Sequence, residues 1–202
     1  MESPKMIPLT IVLLLLSTFP NPSSAATAAA AVTRRYKTYL KTACADATYP
    51  KLCYTSLAPY TSAIKTDDVK LCSAALAVTL QAVKDTSSLV SRLRKLREGL
   101  GKGDVAVLKD CDEVIKDAVD ELKQTAKVVS RLMRKGAAAA AELDIANMRT
   151  WLSAAITDET TCADVFDGQK VSAAVKGPIW KSIKKVERLT SNALALVDKL
   201  AY

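Results

Sequence analysis

Two sets of residues could carry chemistry: five cysteines, and a short acidic run on a basic background. The cysteines are Cys44, Cys53, Cys72, Cys111 and Cys162. The 202 residues include no histidine. A Ser-His-Asp or Cys-His nucleophile therefore cannot be assembled. Protein zinc sites draw on histidine or on closely spaced cysteine pairs, and neither occurs here. No glycine-rich phosphate loop is present. Paired carboxylates can hydrolyse glycosides, but the acidic residues fall on amphipathic stretches with no pocket signature. The expectation is a protein that is not an enzyme and uses no cofactor and no metal.

The acidic run stands out because the chain is basic, with a formal charge of +8 and a pI near 9.2. Glu113, Asp117 and Asp120 recur at i, i+4 and i+7, on a helical face turned away from the apolar Leu108, Cys111 and Ile115. Asp112 and Glu121 flank them. Such a face either balances nearby lysines in solvent or docks on a partner. The positive total favours adherence to polyanions such as acidic polysaccharide. No nucleic-acid motif accompanies it.

In an oxidising compartment an odd cysteine count leaves at least one thiol unpaired. Cys44 and Cys53 flank Tyr49-Pro50, and a bridge between them would staple a helical hairpin, worth roughly 2.7 kcal/mol by loop closure. Cys72, Cys111 and Cys162 lie on three different apolar stripes. A Cys111–Cys162 bridge would contribute roughly 4 kcal/mol and leave Cys72 as a small core residue. The alternative is Cys72–Cys111 with Cys162 free.

The elements that position these residues can be read from breakers and periodicity. Residues 1–25 have the form of a signal peptide. Lys5 precedes the apolar run Ile7–Leu16, and Pro20 and Pro22 break it. Ser23-Ser24-Ala25-Ala26 supplies small residues for cleavage after Ala25 or Ala26. The run is far short of the roughly 20 apolar residues of a membrane span, so the expected location is extracellular. The remaining domain, residues 26–202, opens with a frayed alanine-rich lead-in at Ala25–Ala31. A helix over about Thr33–Thr42 and another over Pro50–Leu57, ended by Pro59, form the hairpin (about 33–58).

Four longer amphipathic helices follow over about 67–200. The first spans about Asp67–Gly99, with a polar gap at Thr86-Ser87. The second spans Val105–Lys135, with Asp104 as N-cap, a stripe through Leu108, Cys111, Ile115, Val119, Leu122, Ala126, Val129 and Leu132, and Gly136 as stop. The third spans about Glu142–Phe166. The fourth starts near Pro178, with Gly177-Pro178 expected to break or kink any extension back toward Val171. Short connections make the neighbours antiparallel. The fold class is all-α: an up-and-down four-helix bundle preceded by a short N-terminal α-hairpin.

Thr48-Tyr49-Pro50-Lys51-Leu52-Cys53 with Cys44 upstream, Cys111-Asp112-Glu113, Trp151–Ala155 with Thr160–Asp164, and Ser191–Leu196 together resemble the plant invertase and pectin methylesterase inhibitor family. The resemblance implies the bundle-plus-hairpin fold, pairing of Cys44 with Cys53 and of Cys111 with Cys162, and a free Cys72. It implies a secreted apoplastic inhibitor that covers the active-site cleft of a cell-wall enzyme. The Pro-Lys-Phe segment of invertase inhibitors is missing from Ala141–Asn147. The Trp151–Ala155 block is similar to pectin methylesterase inhibitors and to the pro-regions of the esterases. Pectin methylesterase is the expected partner and invertase the alternative. Loose association with acidic pectin is also expected, and nucleic acid and membrane are not. Target-binding positions carried over by the resemblance are Glu113, Asp117, Asp120, Thr161 and Asp164. An aspartate-lined esterase cleft would make the complex tighten as pH falls from about 7 toward 5, through shared or raised carboxyls.

Overall fold

The structure is a computed structural model and describes residues 22–96, 99–135, 142–167 and 170–201. The apolar run of the expected signal peptide and Gly136 lie outside these residues. Two compact units divide within the first helix, at Arg35. In the first unit the helix begins at Pro22, and Ala26–Arg35 are exposed. The alanine-rich lead-in is therefore helical rather than frayed, as the high helix propensity of alanine favours. Thr33 Oγ1 donates to Ala29 O at 3.0 Å.

The second unit holds the rest of that helix and the bundle. Helix α1 (Pro22–Ala45) ends beyond the expected Thr42, and α2 (Pro50–Leu57) follows, with Pro50 in its first turn. A disulfide joins Cys44 to Cys53 across the break. Pro59 does not end the helical path. It sits in a 3-10 turn, Ala58–Tyr60, that leads into the short helix α3 (Thr61–Ile64).

Four long helices come next: α4 (Asp68–Lys95), α5 (Lys102–Lys135), α6 (Glu142–Asp164) and α7 (Ala173–Asp198). They pack in a ring, α4 on α5, α5 on α6, α6 on α7 and α7 on α4, with α2 against α4 and α7. Side-chain links fix the antiparallel register. At one end Arg94 of α4 reaches Asp112 of α5, and Cys111 is disulfide-bonded to Cys162 of α6. At the other Arg131 pairs with Asp144, and Arg149 with Asp198 at 2.6 Å. The core contains Leu76, Val83, Ile115, Leu122, Met148, Leu152, Ile183 and Val186, all at most 1% exposed.

The stripes depart from the sequence reading at identifiable places. Thr86, read as part of a polar gap, is fully buried. Its hydroxyl is 3.0 Å from Ala82 O and 2.7 Å from Ser182 Oγ, so the polar group is satisfied inside the bundle. On α5 the buried positions are Ala118 and Thr125, while Val119 and Ala126 are half-buried. Helix α5 starts at Lys102, three residues before the expected start, so Asp104 is not its N-cap. The Asp104 carboxylate accepts from Gly101 N at 3.1 Å and from Ser172 N at 2.7 Å. Helix α7 runs unbroken through Gly177-Pro178. Pro178 leaves only the Ala174 carbonyl, in the exposed first turn, without its helical partner. Buried Val175 and Ile179 hold that turn against the core.

Candidate docking face

The amphipathic pattern of α5 turns Leu108, Cys111, Ile115 and Leu122 inward, which forces Glu113, Asp117 and Asp120 outward; all three are exposed. On α6, Cys162 is buried, and its neighbours Thr161 and Asp164 are exposed. The Cys111–Cys162 disulfide, with a Cα separation of 4.5 Å between the two cysteines, joins that end of α6 to α5 two residues before Glu113. Thr161 Oγ1 donates to Thr157 O at 2.8 Å, which leaves its oxygen free to accept.

Glu113 and Asp117 line one depression, and Asp120 lines another that shares Lys116 with it. Asp117 is an electrostatic neighbour of Asp158 on α6. Asp120 instead lies in a depression of about 550 Å³ shared with Lys84 of α4, and pairs with Lys123 at 2.8 Å. Asp112, read as a flank of the acidic face, is 1% exposed. It accepts from Lys116 at 2.7 Å and Ser91 at 3.1 Å, and pairs with Arg94. Burial raises its pKa, but the hydrogen bonds from Lys116 and Ser91 and the two positive charges outweigh that and leave it lowered. Asp112 thus holds α4 to α5 under the face, at the floor of a shallow 260 Å³ depression lined also by Glu113 and Asp117.

Three further carboxyls lie between α5, α6 and α7. Burial, with the nearby Asp158 and Asp117, pushes Glu121 up to about 7. Asp158 is also raised, by burial and by Asp117, although its hydrogen bond with Glu121 pulls it down. A proton on Glu121 shared with Asp158 relieves the repulsion. Glu159 is fully buried and pushed up to about 8, chiefly by burial. Its place was legible: Met148, Leu152, Ala155, Glu159 and Cys162 follow one uninterrupted stripe of three- and four-residue steps. Asp112 likewise falls four residues after Leu108. Cys72 is buried, and its thiol donates to Leu196 O at 3.3 Å. Burial and the charges of Asp68 and Asp67 push that thiol far above its ordinary range.

Among the described residues no helix is long and apolar enough to cross a membrane, and no group of acidic or cysteine side chains is arranged to hold a metal ion. Residues 38–196 match the family model described as plant invertase/pectin methylesterase inhibitor. Pectinesterase inhibitor 4 of Arabidopsis thaliana is 36% identical over 200 residues, covering 95% of this chain and 97% of its own length. Pectinesterase inhibitor 11 of the same plant is 35% identical, covering 98% of each. A 21 kDa protein of Daucus carota is 35% identical over 81% of this chain and 83% of its own. The fold is shared with the crystal structure of a pectin methylesterase inhibitor from Arabidopsis thaliana, at a TM-score of 0.55 and 16% identity over 80% of this chain and 95% of that one. The chain belongs to the plant invertase/pectin methylesterase inhibitor family.

Proposed function

We propose that this protein inhibits pectin methylesterase, and so limits pectin de-esterification in the plant cell wall. The observation that carries the reading is near-full-length similarity, at about 36% identity, to proteins named pectinesterase inhibitors. The geometry supports a docking mode: Glu113, Asp117, Asp120, Thr161 and Asp164 project from α5 and α6, and the enzyme's cleft is covered by that side of the bundle. The Cys111–Cys162 disulfide and the Arg131–Asp144 ion pair hold the two helices in fixed relation, so little order is lost on docking. The protein itself is not an enzyme. We place it in the apoplast, after removal of residues 1–25 as a signal peptide, and its +8 charge supports loose adherence to acidic pectin. Invertase is not favoured as the target. The test is titration of the purified protein into pectin methylesterase and into cell-wall invertase. Stoichiometric loss of esterase activity alone is expected, and loss of invertase activity alone overturns the reading.

A further inference from the structure

A groove of about 700 Å³ runs between α2 and α7, on the flank of the ring formed by α4 and α7. That flank is opposite the α5–α6 edge. The groove is built rather than incidental. Asn192, 3% exposed on α7, accepts from Tyr49 N at 2.8 Å and donates to Tyr49 O at 3.1 Å. This fixes the Thr48–Leu52 turn over the helix. The lining is mostly apolar, with Tyr49, Pro50, Leu52 and Trp180. Trp180 is 43% exposed, an unusual position for an indole with nothing packed over it.

Cations surround this lining. Lys181, Lys184, Lys185 and Arg188 recur at i, i+3, i+4 and i+7, a single stripe along α7. At helical rise the stripe is about 10 Å long. Lys51 lines the groove from α2. Lys184 is held by Glu187 at 2.8 Å, and the Arg188 guanidinium lies 5.5 Å from the centre of the Tyr49 ring. Lys51, Lys181 and Lys185 have no carboxylate partner among the described residues.

We propose that this groove binds an acidic oligosaccharide, a run of uronate sugars, with Trp180 and Tyr49 against the pyranose C–H faces and Lys51, Lys181, Lys185 and Arg188 on the carboxylates. The flat aromatic lining suits the C–H face of a sugar ring, and a compact inorganic anion would gain nothing from it. The cations lie along a line, which matches a polymer with one charge per repeat. A cleft of one sign over an apolar lining also concentrates the field that draws such a polymer in. The biological meaning rests on the proposed inhibition. Pectin methylesterase adds water across a galacturonate methyl ester and releases methanol, leaving one carboxylate per cleavage. The groove therefore takes the product of the enzyme that the opposite flank covers, and both sites can be filled at once. The inhibitor is thereby retained where de-esterification has already occurred.

The test is calorimetric titration of the full chain with a galacturonate oligomer, its methyl-esterified counterpart, polyglutamate and a single-stranded oligonucleotide, at constant salt. The free-acid oligomer is expected to bind at least about tenfold more tightly than the other three. Trp180→Ala, and separately Lys181→Ala with Lys185→Ala, should each weaken it by about tenfold, while Trp180→Tyr keeps the platform and most of the affinity. Lys127→Ala with Lys135→Ala removes equal charge elsewhere and should change little. Equal binding of polyglutamate, tighter binding of the oligonucleotide, or groove variants indistinguishable from wild type overturns the proposal. The same groove variants are assayed for esterase inhibition, which should persist. Uronate binding with the expected variant pattern but no inhibition, even by wild type, would remove the docking reading and leave the groove standing.

Discussion

Glu159 makes the bundle's stability fall as pH rises, and the size of the effect can be worked out. The side chain is fully buried, with the Thr190 hydroxyl donating to Oε1 at 2.7 Å. Oε2 has no hydrogen-bond partner among the described residues. Burial holds the carboxyl up to about 8; the Thr190 bond lowers it, and the charges of Glu187, Asp158 and Glu121 raise it. The unfolded chain releases the same proton near 4.5. Between those values the folded state carries a proton that the unfolded state has lost, so stability is lost with increasing pH at about 1.4 kcal/mol per unit. From pH 5.5 to 7.5 this amounts to roughly 2–3 kcal/mol. Glu121 acts in the same direction, less strongly because water reaches it. Glu159→Gln keeps the shape and the acceptor for Thr190 and removes the titration. Urea denaturation of both proteins at the two pH values isolates the effect, because any fixed packing cost of glutamine cancels in the difference. Wild type should lose roughly 2–3 kcal/mol more than the variant over that interval. Parallel losses would refute the reasoning and mean that Glu159 is ionised in the fold throughout.

An Asp117→Asn, Asp120→Asn double variant should fold normally and, against an aspartate-lined cleft, inhibit pectin methylesterase about tenfold more tightly at pH 7, read as an inhibition constant beside an unchanged thermal midpoint. The structure places the raised carboxyls at Glu121 and Asp158, so Glu121→Gln should flatten any tightening of the complex between pH 7 and 5; an unchanged slope removes this cluster from the mechanism. Asn192→Ala leaves the Tyr49 N–H and C=O without their side-chain partner and should cost about 2–4 kcal/mol by chemical denaturation. Loss of Cys111–Cys162 by paired alanine substitution should cost roughly 4 kcal/mol, whereas Cys72 should react with iodoacetamide only in denaturant.

Most of the fold was legible because four stripes with three- and four-residue steps have few packing solutions once their connections are short. What the sequence hid was context. Pro178 and Gly177 are strong local punctuation, but burial of Val175 and Ile179 on either side overrides them. Thr86 looks solvent-facing by residue type, and its burial depends on a partner far away in sequence, Ser182. The acidic trio was correctly turned outward, but one helix's periodicity cannot show that Asp120 leans toward α4 while Asp117 meets α6. The basic stripe of α7 was passed over in the sequence reading, although Lys181, Lys184, Lys185 and Arg188 stand at helical spacing. Its meaning was not legible, because Trp180 and Lys51 join it only through the hairpin, which Asn192 holds in place.

Four rods joined edge to edge form a linkage that can shear from a square to a rhombus without stretching any edge. A diagonal brace removes that freedom. Asp104 at the start of α5 supplies one, because its carboxylate holds Ser172 at the start of α7, across the diagonal of the ring. The fit is close: a Cβ on Gly103 would stand 2.3 Å from the Lys170 carbonyl oxygen, so only glycine lets the two strands of chain approach so nearly. Hydrogen bonds from the Ser172 and Gly101 amides hold the Asp104 carboxyl below its ordinary range against the effect of burial, so the brace stays ionised in acid surroundings. A change at Gly103 or Asp104 would then leave every helix and the Cys111–Cys162 bridge intact and still let the ring lean, with α5 shifting against α7. The rigidity of a surface on one edge of this bundle is thus set by two residues that do not belong to that surface.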